Sequence, residues 1–176
     1  MRFTVTAGHG ADDPGAVAKS GETEAALMTE LRDIVAIKLR NMGHEVKTDG
    51  ARWENWPLLR ALKLIPQSDV AIELHTNAFT KDSAGGVEVI SLPSQKEMAR
   101  SLARRIAHTL EIPVRGMGGW IDQSASARGR LAFVNAGGLI VEVFFISNPV
   151  ELKKYSDRKW LVGSAIAETL APPEWK

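Results

Sequence analysis

The sequence has no cysteine, a single tyrosine and almost no imbalance of charge. The absence of cysteine excludes disulfides, thiolate catalysis and cysteine-ligated zinc, so His, Asp and Glu remain as possible metal ligands. Lys and Arg number 22 and Asp and Glu 21, and the net charge of +1 gives no overall field for binding nucleic acid. No run approaches the roughly 20 apolar residues that a membrane span needs.

The composition is that of an ordinary globular protein. Hydrophobic residues make up 44% and charged residues 24% of the 176 positions. These fractions exclude disordered, collagen-like and coiled-coil chains. A chain of this length fits one domain of roughly 100 to 200 residues. We therefore expect residues 1–176 to form a single domain.

Strand and helix patterns alternate along the chain. Alternating or continuous apolar runs predict strands at 2–7, 44–47, 70–75, 86–90 and 139–145. Apolar residues at three- and four-residue steps predict helices at 28–42, 58–65 and 98–110. Asn148 followed by Pro149 is typical of a helix start, and apolar residues up to Leu170 mark the last helix. This order predicts an α/β fold whose largely parallel sheet is covered on both faces.

Three polar residues lie at strand positions where ligands collect in such sheets. His9 follows the first strand, His75 ends the third, and Glu142 interrupts the apolar run of the last strand. A carboxylate inside a central strand must be paired, protonated or bound, because burying an unpaired charge is costly. Either Arg128 or Arg130 is a structural partner of Glu142, or Glu142 is a catalytic carboxylate.

The two histidines together predict a metal site. Each lies at the carboxyl end of a strand beside small or polar residues such as Gly8 and Asn77, and a shared metal explains both positions. A zinc site with two His commonly takes a carboxylate as third ligand, and the candidates are Asp12, Asp13, Glu22, Glu24 and Glu73. Glu24 equally suits the first turn of a helix. Glu73 shares a strand face with His75, either as a rival ligand or as a group that orients the ring.

A locally basic segment runs from Lys96 to Arg130. It carries seven Lys or Arg against three acidic residues, a local charge of +4. Within it, Trp120 follows a glycine-rich stretch and either walls a groove or anchors the core.

Four segments stand out as a set: Ala7–Gly10 with Asp13–Gly15, Gly21–Glu24, Ser68–Asn77 and Val141–Pro149. Their residues, order and spacing resemble those of the zinc-dependent N-acetylmuramoyl-L-alanine amidases of the AmiC and phage-endolysin type. The resemblance extends from about residue 5 to residue 152 and so covers nearly the whole chain. Ala11 stands where that family often has a second glycine, and Glu73 where it has a small residue. Neither departure removes a candidate ligand.

The resemblance implies one Zn²⁺ ion per chain, held by His9, Glu24 and His75, with Glu142 as the catalytic glutamate. It also implies a three-layer α/β/α fold. We expect a largely parallel, mixed central sheet in a single catalytic domain over residues 1–176, with no separate wall-binding domain. The implied reaction is hydrolysis of the amide between N-acetylmuramic acid and L-alanine of peptidoglycan. Glu142 would take a proton from water and pass it to the leaving amine. The residues expected to orient ligands or contact substrate are Glu73, Asn77, Trp120 and Arg128.

Peptidoglycan is the partner that this reaction implies, and we expect neither nucleic acid nor an obligate protein partner. Arg100, Arg104 and His108 fall on one face of a predicted helix, either as a solvated stripe or as a contact for an anionic cell envelope. Because no hydrophobic signal segment precedes the first strand, we expect synthesis in the cytoplasm. The protein would then act on peptidoglycan in the periplasm or cell wall after membrane permeabilisation, as a phage endolysin does.

Three other functions remain open at this stage. One is a zinc peptidase that cuts within the stem peptide of peptidoglycan, and another is a non-catalytic wall-binding module that keeps the fold. The third is a nucleotide-binding protein, since Gly8-His9-Gly10 follows a strand, but the loop lacks the glycine patterns of such sites.

Overall fold

A computed structural model describes residues 1–10, 12–52, 54–125 and 131–172. Its six strands form one sheet in the order β2-β1-β3-β6-β4-β5. The strands are β1 (Arg2–Ala7), β2 (Glu45–Thr48), β3 (Val70–Asn77), β4 (Glu88–Ser91), β5 (Trp120–Asp122) and β6 (Leu139–Phe145). β4 runs antiparallel to β6, whereas every other neighbouring pair is parallel. The predicted α/β fold with a largely parallel, mixed sheet is confirmed.

Five α-helices lie within the described ranges. They are α1 (Glu24–Asn41), α2 (Leu58–Leu62), α3 (Lys96–Leu110), α4 (Ala132–Asn135) and α5 (Pro149–Leu170). The side chain of Thr23 caps α1 by accepting the N–H of Ala26, and Asn148 caps α5 by accepting the N–H groups of Val150 and Glu151. None of the helices described is long and apolar enough to span a bilayer.

The two faces of the sheet differ in how thickly they are covered. Side chains alternate across a strand, so Ile72, Leu74 and Val141 point to one face and join the main core with α1, α3 and α5. On the opposite face Ile140 packs with Phe133 of α4 in a much smaller core. This second face is covered only by short segments, and space for a site remains there at the carboxyl ends of β1, β3 and β6.

Several boundaries differ from the sequence-based expectation. The helix expected at 58–65 is α2 followed by a 3₁₀ turn at Ile65–Gln67, because Pro66 interrupts the α-helical hydrogen bonds. The strand expected at 70–75 continues to Asn77, and the strand expected at 86–90 is Glu88–Ser91. β5 and α4, with three and four residues, are too short to produce a periodic signal.

Candidate active site

Three side chains from separate elements converge at the carboxyl ends of β1 and β3. His9 lies in the loop after β1, Glu24 is the first residue of α1, and His75 lies on β3. Their potential ligand atoms all lie within 4.8 Å of one another. The backbone of His9 has φ 64°, a left-handed conformation that is strained for a side chain with a Cβ and is typical of functional sites. The structure thus brings together the three residues that the family resemblance implies as zinc ligands.

Each histidine ring lies between Glu24 and a second carboxylate. His9 Nδ1 is 2.8 Å from Asp13 Oδ2, and its Nε2 is 3.3 Å from Glu24 Oε2. His75 Nδ1 is 2.9 Å from Glu24 Oε1, and its Nε2 is 3.2 Å from Glu73 Oε2. An N–H donated to the outer carboxylate fixes the tautomer whose inner nitrogen can offer a lone pair. Both rings are therefore oriented toward one point beside Glu24.

The surroundings of this cluster fit a metal ion. His9 Nε2 is buried and makes no well-aligned hydrogen bond within the described residues, although Glu24 Oε2 lies only 3.3 Å away. A Cβ on Gly8 would lie 2.1 Å from His75 Cε1, and one on Gly15 would lie 2.7 Å from His9 Cδ2. Both glycines thus make room for the imidazole rings. Two imidazole nitrogens and one carboxylate form a donor set that suits zinc.

The carboxylates around the cluster control its protonation. Burial lowers the pKa of His75, but hydrogen bonds to Glu24 and Glu73 and the charge of nearby Glu142 raise it to about 10. Burial raises the pKa of Glu24, but its hydrogen bonds from His75 and from two backbone N–H groups outweigh this effect and lower the pKa overall. The site therefore has an excess of negative charge that a cation bound there would balance.

Glu142 lies one strand away from His75 on the same face of the sheet. The Cα atoms of His75 and Glu142 are paired across β3 and β6, and Glu142 is paired in turn with Glu88 of β4. His75, Glu142 and Glu88 thus form a row across three adjacent strands. Arg128 and Arg130, considered as partners of Glu142, lie outside the described residues.

Two clefts meet at this centre, and five residues line both of them: His9, Asp13, His75, Leu131 and Ile140. The tryptophan cleft, of about 440 Å³, is lined further by Asp12, Asp49, Trp56, Pro57, Leu58 and Phe133. The arginine cleft, of about 760 Å³, is lined further by Asn77, Phe79, Glu88, Arg115, Glu142 and Phe145. A substrate that extends to both sides of the centre therefore has two separate surfaces on which to bind.

The remaining expected site residues fall in different places. Asn77 lines the arginine cleft and donates to Glu88 at 3.0 Å. Trp120 is only 5% exposed, packs in the main core and donates from its indole nitrogen to Ser91 at 3.1 Å. Of the two roles considered for Trp120, the structure places it as a core anchor and not as a groove wall, because β5 carries it into the sheet.

Sequence reasoning missed Glu88. It is 8% exposed, accepts from Asn77 and Arg115, and borders Glu142. The signal was present, because a glutamate between apolar residues of a predicted strand is the same anomaly that identified Glu142. The contact between Arg115 and Glu88 had no such signal, since it depends on how the loop after α3 returns to the sheet.

The fold and the site together define an enzyme of the α/β class, with a buried centre suited to a metal ion and an adjacent carboxylate. The particular family follows from sequence comparison. A model of the N-acetylmuramoyl-L-alanine amidase family matches residues 4–171, so the chain belongs to this family and is an enzyme of this class.

Solved structures agree with this assignment. A Neisseria meningitidis protein described as an N-acetylmuramoyl-L-alanine amidase is 43% identical, with a TM-score of 0.90 over 97% of this chain and 93% of that one. AmiC2 of Nostoc punctiforme shares the fold at 15% identity, with a TM-score of 0.82 over 100% and 98% of the two chains. The catalytic domain of the endolysin CD27L, which targets Clostridia Difficile, is 22% identical, with a TM-score of 0.67 over 97% and 96%. No curated protein matches the chain with significant similarity.

Proposed function

We propose that this amidase depends on zinc, with the ion held by His9, Glu24 and His75. The observation that carries the proposal is the orientation of the two imidazole rings. In each ring one nitrogen points toward Glu24 and the other contacts a second carboxylate, Asp13 for His9 and Glu73 for His75. A zinc ion bound there supplies Lewis-acid chemistry, since it polarises an amide carbonyl and makes water more acidic.

Glu142 acts in this proposal as the general base and then the general acid. Its carboxylate lies on the face of the sheet that carries His75, and it lines the arginine cleft. It accepts a proton from the attacking water as the water oxygen bonds to the carbonyl carbon. It then donates this proton to the nitrogen as the bond from carbon to nitrogen breaks, which releases the L-alanine amine and leaves a lactyl carboxylate on the glycan.

Glu73 is proposed to orient His75 and not to ligate the metal. Its Oε2 is within hydrogen-bond distance, 3.2 Å, of His75 Nε2, the ring nitrogen that points away from Glu24. A carboxylate in this position fixes the tautomer of the histidine and makes the opposite nitrogen a stronger ligand.

The experiment that tests the metal is peptidoglycan digestion by chelator-treated and reconstituted protein. We expect the chelator to abolish release of soluble products and zinc to restore it. Mass spectrometry should find intact stem peptides with a free L-alanine amine and glycan strands of unchanged length. Cleavage inside the stem peptide would establish a peptidase instead, and binding without release would establish a wall-binding module.

The role of Glu142 is tested by the Glu142→Gln variant. Loss of one proton-transfer group should lower kcat by at least about 100-fold. Zinc content should remain at that of the wild type, because Glu142 is not in the ligand cluster. Glu168→Gln, a change of the same kind on the exposed surface of α5, is the matched control and should keep full activity. A Glu142→Gln protein with full activity would remove the proposed role.

We further propose that the protein acts as an endolysin on peptidoglycan that membrane permeabilisation has exposed. An endolysin catalytic domain with the same fold, that of CD27L, supports this possibility. Purified protein should then lyse permeabilised cells but not intact ones. Attraction of an anionic cell envelope by Arg100, Arg104 and His108 of α3 would show as weaker lysis at raised salt, with unchanged activity on soluble fragments.

A further inference from the structure

The two clefts beside the metal centre differ in charge. The charged residues described in the tryptophan cleft, apart from its histidines, are all acidic: Asp12, Asp13, Asp49 and Glu73. Among the described residues that line either cleft, Arg115 is the one Lys or Arg side chain, and it belongs to the arginine cleft. The arginine cleft is also lined by four acidic residues, Asp13, Glu24, Glu88 and Glu142, so the two clefts differ in the presence of Arg115 and not in their number of carboxylates. Among the described lining residues, a carboxylate of the substrate therefore finds a Lys or Arg partner in the arginine cleft alone.

The guanidinium of Arg115 is held in a fixed position at the edge of its cleft. Its Nε donates to Glu88 Oε2 at 2.8 Å, and its Nη1 donates to the carbonyl of Gly85 at 3.3 Å. The group lies 4.9 Å from the ring centre of Phe145, which supports one of its faces. The side chain is 43% exposed, and Nη2 has no partner in the part of the chain described. Arg115 can therefore donate a hydrogen bond to a substrate carboxylate without losing its contact with Glu88.

The position of Glu142 indicates which cleft binds the amine half of the scissile amide and which binds the acyl half. Glu142 lines the arginine cleft and not the tryptophan cleft. A general acid must reach the leaving nitrogen, so the amine half of the scissile amide lies on the side of Glu142. In the proposed reaction the amine half is the stem peptide. The acyl half, which carries the sugar, then extends to the opposite side of the centre.

We propose that the arginine cleft binds the stem peptide, with Arg115 paired to one of its carboxylates, and that the tryptophan cleft binds the muramoyl glycan. The inference rests on the proposed amidase mechanism. It agrees with the chemistry of the two halves, because the stem peptide carries free carboxylates whereas the glycan at the scissile amide is uncharged. Trp56, which is 38% exposed between Asn55 and Pro57, offers an aromatic face for the apolar side of a sugar ring.

The first test uses two soluble muramoyl dipeptides that differ in one group. In one the second amino acid has a free α-carboxylate, and in the other this group is a carboxamide. A charge-assisted pair is expected to make Arg115→Gln lower kcat/KM for the carboxylate substrate by about 10- to 100-fold. The effect on the carboxamide substrate should stay below about threefold, and Arg115→Lys should recover part of the loss.

Two variants control for folding. Arg115→Gln leaves the carboxylate of Glu88 without its cationic partner, so the double variant with Glu88→Gln removes both charges and should show the same loss of discrimination. Arg105→Gln, at an exposed ion pair between α3 and α5, is the matched surface change and should alter neither substrate.

The second test concerns the glycan. Trp56→Ala should lower kcat/KM for a disaccharide peptide by about tenfold and leave a substrate whose sugar is replaced by a simple lactyl group unaffected. Trp160→Ala, at an exposed position on α5, is the matched control and should leave both substrates unchanged.

The outcomes separate this inference from the function on which it rests. If the wild type releases no free L-alanine amine from peptidoglycan or from either muramoyl dipeptide, the proposed function fails, and the assignment of the clefts fails with it. If it cleaves both and Arg115→Gln reduces the two rates equally, only the assignment fails. A glycan-dependent loss in Arg115→Gln together with a peptide-dependent loss in Trp56→Ala would reverse the assignment.

Discussion

A buried arginine in α1 organises the backbone beside His9. The guanidinium of Arg32 is fully buried and donates to Asp49 Oδ1 at 3.1 Å and to the carbonyl of Ala51 at 2.9 Å. Asp49 Oδ2 in turn accepts the N–H of Ala7 at 3.2 Å. No sequence pattern distinguishes Arg32 from a surface arginine, because its partners other than the neighbouring Asp33 come from a segment 17 to 23 residues further along the chain. Such a residue is identified only from the structure.

Asp49 gives this network a measurable pH dependence. Burial raises the pKa of Asp49 from 3.8 to about 6, and the opposing effect of Arg32 is smaller. Because the folded state holds the proton more tightly than the unfolded state, the stability from this group is complete below about pH 4 and is lost as the pH rises through about 6.

Urea unfolding of wild type and Asp49→Asn across this range measures the effect. The free energy of unfolding of the wild type, relative to the variant, should fall by up to about 3 kcal/mol between about pH 4 and pH 7 and stay constant above that. If the free energies of unfolding of the two proteins differ by the same amount at every pH, Asp49 does not have the raised pKa.

At the scale of elements, the packing of α5 on α1 depends on a missing side chain. Gly163 lies in the middle of α5, where glycine usually costs about 1 kcal/mol relative to alanine. A Cβ at this position would lie 2.3 Å from Cγ2 of Ile34, which is 2% exposed. The close approach of the two helices therefore outweighs helix propensity here.

Gly163→Ala should consequently destabilise the protein by about 1 to 3 kcal/mol. Helix propensity alone predicts the opposite, a more stable protein. Denaturant unfolding measures this change. In an Ile34→Ala background the same substitution should cost much less, because the contacting methyl group is gone. Equal costs in both backgrounds would show that the overlap with Ile34 is not the cause.

The sequence predicted the elements whose own residues determine them. β1, β6 and α3 have strong apolar patterns, and Asn148 with Pro149 located the start of α5. β5 and α4 were missed, because three or four residues carry no period and depend on the neighbouring sheet. His9, His75 and Glu142 stood out as polar groups at strand positions. Glu24 needed the family resemblance, and Arg115 and Trp56 needed the structure, because their roles come from contacts between distant segments.

At the scale of the whole molecule, the proposed metal site joins segments that are remote in the sequence. Its three residues come from the loop after β1, the start of α1 and the end of β3, and its carboxylates balance a bound cation. An ion that binds only the folded state therefore stabilises the entire domain.

Zinc at about 1,000 times its dissociation constant should add roughly 4 kcal/mol and raise the Tm by roughly 10 °C, as measured by thermal unfolding with zinc and with chelator. His75→Ala should remove the zinc response. An unchanged Tm in the wild type with and without zinc would argue against binding at this site.

The reversed direction of β4 has a consequence for how this enzyme can diversify. Because β4 is antiparallel to β6, its beginning, at Glu88, meets the rim formed by the ends of β1, β3 and β6. Residues 78–87, which lead into β4, therefore edge the mouth of the arginine cleft, where Phe79 and Ala84 already line it. Insertions or loop grafts in this stretch can reshape substrate preference while the segments that carry the proposed metal ligands stay intact. The reversal of β4 thus places residues 78–87 at the edge of the arginine cleft but outside the proposed metal site, which makes this segment a suitable target for engineering.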